Sequence, residues 1–226
     1  MRRPDRVDAR LAQPAEGEAP SVPATKATAG GRATAGRARR VAASLATLPA
    51  DRRVASGEMA LFPIRTFGDP VLRQPALEVT EFDADLRRLA DDMLETMYEA
   101  PGVGLAAPQV GIQKRMFVYD INDGSGWGIV VNPTLSNHHG EWEYTEGCLS
   151  VPDLHWPILR PDRVLLHGFD VDGKPITVEG DELMGRMFQH EVDHLDGILL
   201  LERLDPVQRK QAMKALRQRT LGITGT

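Results

Sequence analysis

The sequence predicts an α+β fold: short, mostly antiparallel strands packed around one central helix, plus an N-terminal and a C-terminal helix in the folded part. Three observations carry that reading. Two stretches, around 84–100 and 183–195, repeat apolar residues at helical spacing. Runs of strand length, rich in β-branched and aromatic residues, lie between them and are bounded by Gly, Pro, Asn and Asp. Asp205-Pro206-Val207-Gln208 then reads as the start of one more helix.

The folded part opens near Leu61. Phe62-Pro63-Ile64-Arg65 is extended and Gly68-Asp69-Pro70 is a turn. Asp83 caps a helix running to about Ala100, with Leu86, Leu89, Ala90, Met93, Leu94, Met97 and Tyr98 on its apolar face. Pro101-Gly102 ends it. In Gly102-Val103-Gly104-Leu105-Ala106-Ala107-Pro108-Gln109-Val110-Gly111, small residues let another chain approach the backbone closely. This stretch has no Lys-Ser/Thr and no proper Gly-x-Gly-x-x-Gly, so it is not a nucleotide loop; a tight helix-to-strand connection is the plain alternative. Strands are expected at Arg115–Asp120, at Gly128–Asn132 with Pro133 as its stop, and at Glu141–Leu149. Arg163–Asp170 and Pro175–Glu179 flank Asp172-Gly173, a hairpin signal. Gly180-Asp181 reads as a loop with a capping Asp, and Gly197 as the stop of the central helix. Ile198-Leu199-Leu200-Leu201 suits a strand or a helical extension. The last helix spans about 206–219, with Asp205 and Gln208 forming a capping box.

The 226 residues can hold one domain and a tail. Residues 1–58 are rich in Ala, Arg, Gly, Pro and Thr, contain no aromatic, and repeat themselves over 27–37. Such a segment buries too little apolar area to offset chain entropy and is expected to be disordered. Its arginines suit a transit peptide, but Asp5, Asp8, Glu16 and Glu18 do not; a dispensable tail, or translation from Met59, is preferred. Residues 59–226 form the expected catalytic domain. The net charge of −5 divides into +5 for residues 1–58 and −10 for the remainder, and an acidic body argues against general DNA or RNA binding. No apolar run reaches about 18 residues, so no membrane span is expected. The lone cysteine, Cys148, excludes an internal disulfide and fits a reducing, cytoplasmic setting.

The central helix carries Gln189-His190-Glu191-Val192-Asp193-His194. One turn apart on a helix, His190 and His194 project from the same face and can share a divalent metal. Glu191 then lies where it can take a proton from metal-bound water, the chemistry of metal-assisted amide hydrolysis. The bland alternative is an amphipathic helix with two satisfied histidines. A catalytic metal expects a third protein ligand. Glu202, Asp193 and Asp196 are nearby carboxylates. Cys148 lies in Glu146-Gly147-Cys148-Leu149-Ser150-Val151-Pro152, where the small Gly147 lets it approach a metal, and a thiolate suits Zn²⁺ or Fe²⁺. A buried structural thiol is the alternative.

At these residues the chain resembles the bacterial peptide deformylases. Three motifs carry the resemblance, in order: Gly102 to Gln109, Glu146 to Ser150, and Gln189 to His194; Ile64 to Arg73 is also similar to the family's amino terminus. The resemblance covers about residues 60–205. It implies a metal-dependent hydrolase that removes the formyl group from the N-terminal formyl-methionine of new proteins, releasing formate. It also implies Cys148, His190 and His194 as ligands of one divalent metal, Fe²⁺ first, with Zn²⁺, Ni²⁺ or Co²⁺ tolerated. Glu191 would be the base; the Gln109 side-chain amide and the Leu149 backbone N–H would stabilise the oxyanion. Gly104 would hold the substrate as an added strand. Val103, Tyr144, Leu183 and Met187 would form the methionine pocket.

Glu146 and Arg160 match a family ion pair bracing the cysteine strand. Arg186 departs from the family, which usually has an apolar residue there; its stem is expected at the pocket rim, or the side chain points away. Asp153-Leu154-His155-Trp156 lacks an Arg that many relatives use to bind the peptide backbone. The implied partners are formyl-methionyl nascent peptides and, through Arg209, Lys210, Lys214, Arg217 and Arg219 of the last helix, the ribosome surface. A solvated face whose cations suit the helix C-terminus is the alternative for that helix. A monomer is expected. His138, His139, His155 and His167 have no ligand spacing to the motif.

Two rival functions use the same residues. A His-Glu-x-x-His metallopeptidase shares the metal and the base, but its third ligand is normally His or Glu, which Cys148 argues against. A structural metal module needs a fourth protein ligand; there is no second cysteine, and Glu191 would be surplus.

Overall fold

The computed structural model describes residues 60–220, so the tail expected over 1–58 lies outside the described residues. Helix α1 (Ala84–Glu99) starts where the Asp83 carboxylate accepts the Leu86 N–H at 2.9 Å. Strands β1 (Gly104–Ala106), β2 (Met116–Tyr119), β3 (Gly128–His139), β6 (Arg163–Phe169) and β7 (Pro175–Asp181) form one antiparallel sheet in the order β1-β2-β3-β6-β7. Strands β4 (Trp142–Cys148) and β5 (Val151–Arg160) pair separately as a hairpin. Helix α2 (Glu182–Leu195) follows β7, and α3 (Pro206–Thr220) closes the described residues. None of the described helices is long and apolar enough to cross a membrane.

Strand periodicity explains the layering. On β2, Met116 and Val118 pack with Leu86, Ala90, Met93 and Met97 of α1, while Phe117 and Tyr119 pack with Met187, Phe188, Val192 and Leu195 of α2. The sheet is therefore covered by one helix on each face. The opposite side of α2 meets the β4–β5 hairpin, whose Trp156 and Ile158 share a third cluster with Leu200, Leu201, Leu204 and Ala212. The expected α+β class, with α2 at its centre, holds.

Several local expectations are corrected. Strand β3 continues through Pro133, because the ladder is broken there: the register shifts between Val131 and Thr134, and Asn132 adopts φ 50°. The Asn132 amide instead bonds both backbone groups of Val79 at 2.9 Å. Strand β5 was not expected, since Pro152 and Pro157 interrupt its pattern; it pairs on one side only, and proline is tolerated at such an edge. Gly180-Asp181 lies inside β7 rather than in a loop, and the Asp181 side chain makes no cap bond. Tyr98 leaves the apolar face of α1 and is exposed, its hydroxyl donating to Asp120 Oδ2 at 2.8 Å. The run after Gly197 is neither strand nor α-helix; Leu200–Glu202 is one 3₁₀ turn. The capping box of α3 forms as expected: Asp205 Oδ1 accepts from Val207 N and Gln208 N, and Gln208 Oε1 accepts from Asp205 N at 3.2 Å.

Because Asp83 supplies the side-chain cap of α1, Asp83→Ala should lower stability by about 1 kcal/mol, and Asp83→Ser should nearly preserve it. Urea denaturation of the variants checks this.

Candidate metal centre

Three elements deliver the site. The two histidines come from α2, their rings 5.0 Å apart. Cys148 ends β4, and only Leu149-Ser150 separates it from β5, so the hairpin turn sets the sulfur against α2. The exposed His155 ring lies over Gly147: a side chain at Gly147 would begin 2.6 Å from His155 Cδ2, and the ring would have to rotate aside. Cys148 Sγ stands 3.2 Å from His194 Nε2, and ligand atoms of Cys148, His190 and His194 all lie within 4.8 Å of one another. Donors sharing one ion at about 2.0–2.3 Å would be roughly 3.5 Å apart, so the cluster needs only small adjustment to close on a metal.

The electrostatics agree with that use. His190 Nδ1 lies 3.1 Å from Glu146 Oε2, which leaves Nε2 for the cluster. Burial pushes the Cys148 thiol up, but the His194 and His190 imidazoles outweigh it and hold the thiol well below its ordinary value, towards the thiolate that binds metals. Glu146 is likewise buried, yet His190 and Arg160 hold its carboxyl well below the usual range. Two borderline nitrogens and one soft thiolate form a donor set for Zn²⁺ or Fe²⁺, and a three-ligand set leaves a coordination position open. The residues present thus fit a catalytic metal.

Glu191 is buried beside the cluster, and burial pushes its pKa up to about 7 against the pull of both imidazoles. Its Oε2 has no protein hydrogen-bond partner. The carboxylate lies directly on the Gly104 backbone: a methyl group there would sit 2.8 Å from Glu191 Cδ and closer still to Oε1. This is why the Gly-rich stretch is glycine at Gly104. That stretch forms β1 and then a 3₁₀ turn, Ala107–Val110. The turn carries Gln109 inward. Its Oε1 accepts the Ala106 N–H at 2.8 Å, so Nε2 is turned to Ser150 Oγ at 3.2 Å and to Cys148 Sγ at 3.9 Å. The segment before α1 braces both sides: Arg65 N–H donates to the Gln109 carbonyl at 2.7 Å, and Phe67 N–H to the Ser150 carbonyl at 2.8 Å.

The carboxylates weighed as a third ligand are engaged elsewhere. Glu202 accepts from Arg73 at 3.0 Å, Asp196 from Arg115 at 2.7 Å, and Asp193 from Arg160 at 2.8 Å and Arg203 at 2.9 Å. His167 bonds Ser136 and Thr177 on the sheet. The four positions expected around a methionine side chain differ in burial: Met187 is in the core beneath α2, Leu183 is half-buried, and Val103 and Tyr144 are exposed. Arg186 corrects the reading of its side chain. It neither rims a pocket nor points away; it is buried and donates to Glu146 Oε1. Sequence reasoning also missed Ser150, Asp193 and Arg203 as supports. Asp193 was visible within the His-Glu-x-x-His stretch, but nothing local assigned it to two arginines.

Fold and cluster together fit a metal-dependent hydrolase of the His-Glu-x-x-His type. Comparison with known proteins narrows the class. The polypeptide deformylase family profile matches residues 61–210. A peptide deformylase of Acidothermus cellulolyticus is 52% identical over 160 residues, 71% of this chain and 88% of that relative. The crystal structure of peptide deformylase from Thermus thermophilus superposes with a TM-score of 0.67 at 44% identity, covering 72% of this chain and 97% of that one. A peptide deformylase from Synechococcus elongatus in complex with actinonin superposes at 0.66 with 37% identity, covering 69% and 88%. The chain belongs to the polypeptide deformylase family.

Glu146 is the buried anion between Arg160, Arg186 and His190, so Glu146→Gln should destabilise the fold by about 3–5 kcal/mol. Its folded pKa is depressed, so its stabilisation is complete above the usual carboxylate value and is lost as the pH falls below it. The acid-unfolding curve of Glu146→Gln should therefore be flatter than that of the unaltered chain between about pH 4.5 and pH 2. Identical curves would show that Glu146 does not govern acid stability.

Proposed function

We propose that Cys148 Sγ, His190 Nε2 and His194 Nε2 hold one divalent metal, at which this chain, like the enzymes of its family, hydrolyses the N-terminal formyl group of new polypeptides. Formate and a free amine are the products. The single observation behind the assignment is the convergence of a thiol and two imidazoles within 4.8 Å, next to a buried carboxylate whose Oε2 has no hydrogen-bond partner. A bound divalent cation supplies Lewis acidity, lowering the pKa of a water molecule and polarising the formyl carbonyl.

The chain's own groups do the rest. Glu191 accepts the proton of the attacking water and returns it to the leaving amine; a pKa near 7 suits a group that must do both. Gln109 Nε2 and the Leu149 backbone N–H donate to the oxyanion, the former already oriented by the Ala106 bond to its Oε1. Strand β1 is at the sheet edge, and the carbonyl of Val103, the residue just before it, accepts from Asp120 N. By strand alternation, the Gly104 N–H and C=O face away from β2 and can take the peptide as an added strand. Val103, Tyr144 and Leu183 would receive the methionine side chain, with Met187 behind them in the core.

Fe²⁺ is the proposed metal, on the family resemblance; the thiolate and imidazole donors themselves suit Zn²⁺ as well. The enzyme is proposed to act as a cytoplasmic monomer on formyl-methionyl nascent chains. Arg209, Lys210, Lys214, Arg217 and Arg219, on α3, would draw it to the phosphate-rich ribosome surface.

Anaerobic purification with elemental analysis, followed by assay of formyl-Met-Ala-Ser and its unformylated counterpart, tests the reading. One metal per chain and stoichiometric formate are expected; internal fragments without formate would indicate a peptidase instead. Glu191→Ala should keep its metal and lose about 10²–10⁴-fold in kcat. Cys148→Ala should lose metal, and normal metal content would remove it from the ligand set. Air should inactivate the iron form by oxidation; air inactivation with a non-redox metal bound would contradict that account.

A further inference from the structure

Arg186 lies one turn before His190 on α2 and is 2% exposed. Its Nη1 donates to Glu146 Oε1 and to the Ile158 carbonyl at 3.0 Å, and its Nη2 to the Trp142 carbonyl. Its Cζ lies 4.9 Å from the Trp142 ring centroid and 5.8 Å from that of Tyr144; the two rings are 4.7 Å apart. One guanidinium therefore touches the carboxylate that holds His190, the backbones of both β4 and β5, and an aromatic pair whose outer member is exposed. Glu146 does not need it for neutralisation. Arg160 already binds that carboxylate with two bonds, of 2.6 and 3.0 Å. Burying a second guanidinium there is costly, and its Nε is left without a partner. An apolar side chain would fill the volume without that cost.

We propose that Arg186 is a positioning residue. It holds Glu146 Oε2 on His190 Nδ1 and the Trp142–Tyr144 pair in one register, so that metal retention and the fit of the substrate's first side chain are set together. This deepens the ligand reading of Cys148, His190 and His194 and rests on it. The fork geometry is essential: a planar guanidinium reaches Glu146 and two carbonyls at once while stacking on a ring, which an ammonium cannot do. Freed from Arg186, Glu146 keeps the two bonds from Arg160 but loses its tie to α2 and to the Trp142 and Ile158 backbones, so the Glu146–His190 contact is held less tightly.

The test compares unaltered, Arg186→Met and Arg186→Lys enzymes, each loaded with metal. Three quantities are read: release of metal to excess chelator, melting temperature, and KM separately from kcat for a formyl-Met peptide. Arg186→Met should release metal about 10–100-fold faster and raise KM severalfold, and Arg186→Lys should fall between it and the unaltered enzyme. Release from Arg186→Met within about twofold of the unaltered enzyme overturns the proposal. Should the Met variant not fold, release from the Lys variant within that same margin overturns it. An unaltered enzyme that binds no metal would instead defeat the ligand assignment itself.

Discussion

The carboxylate of Glu146 is the constraint around which the site is arranged. It comes from β4, is almost fully buried, and accepts from Arg160 of β5 and from Arg186 of α2, with His190 at its other oxygen. The hairpin and the main sheet share no ladder, so their relation depends on what joins the hairpin to α2. Apolar packing joins them too, but it is non-directional. The ion cluster is directional. Arg160 continues from Glu146 to Asp193, and Asp193 to Arg203, so that α2 is bound from Arg186 to Asp193, over about two of its turns. Buried ion networks contribute modestly to net stability, but a charge left unpaired there is costly, and this fixes one geometry over its neighbours.

That geometry matters because the chemistry is divided among distant stretches of chain. The sulfur belongs to the hairpin, the imidazoles and Glu191 to α2, and Gln109 to a turn following the edge strand. Each is oriented by a contact the reaction does not use. Ala106 N–H turns the Gln109 amide, the Gly104 backbone backs the Glu191 carboxylate, and Glu146 selects the His190 nitrogen. Burial then raises Glu191 to about 7 while the paired imidazoles favour the thiolate of Cys148. Both acids are penalised by burial and pulled down by the two imidazoles; at Glu191 burial wins, reinforced by the negative charges of Cys148 and Asp193, whereas at Cys148 the charges and hydrogen bonds of the imidazoles win.

Legibility followed the range of the interactions involved. Helix α1, the β6–β7 hairpin and the α3 capping box rest on contacts within a few residues and could be read directly. Strand β5 could not, because Pro152 and Pro157 argue against a strand unless its outer edge is known to be unpaired. Pro133 misled for the same reason: its tolerance depends on a bulge and on Val79 taking over the Asn132 amide. Within the site, the spacing of His190 and His194 is a property of one helix. Choosing among Cys148, Asp193, Asp196 and Glu202 required knowing which carboxylates meet arginines from elsewhere in the chain.

By itself, the sequence determined the α+β class, the helical pairing of the two imidazoles with Glu191 between them, and, through three ordered motifs, the family. These depend on local periodicity and on residue identity, both of which are written along the chain. Tertiary structure alone decided that Arg186 turns inward to Glu146 and that Met187 is core while Tyr144 is exposed. Each of these outcomes is set by a partner many residues away, whose approach depends on how the hairpin lies against α2, and no local pattern encodes that distance.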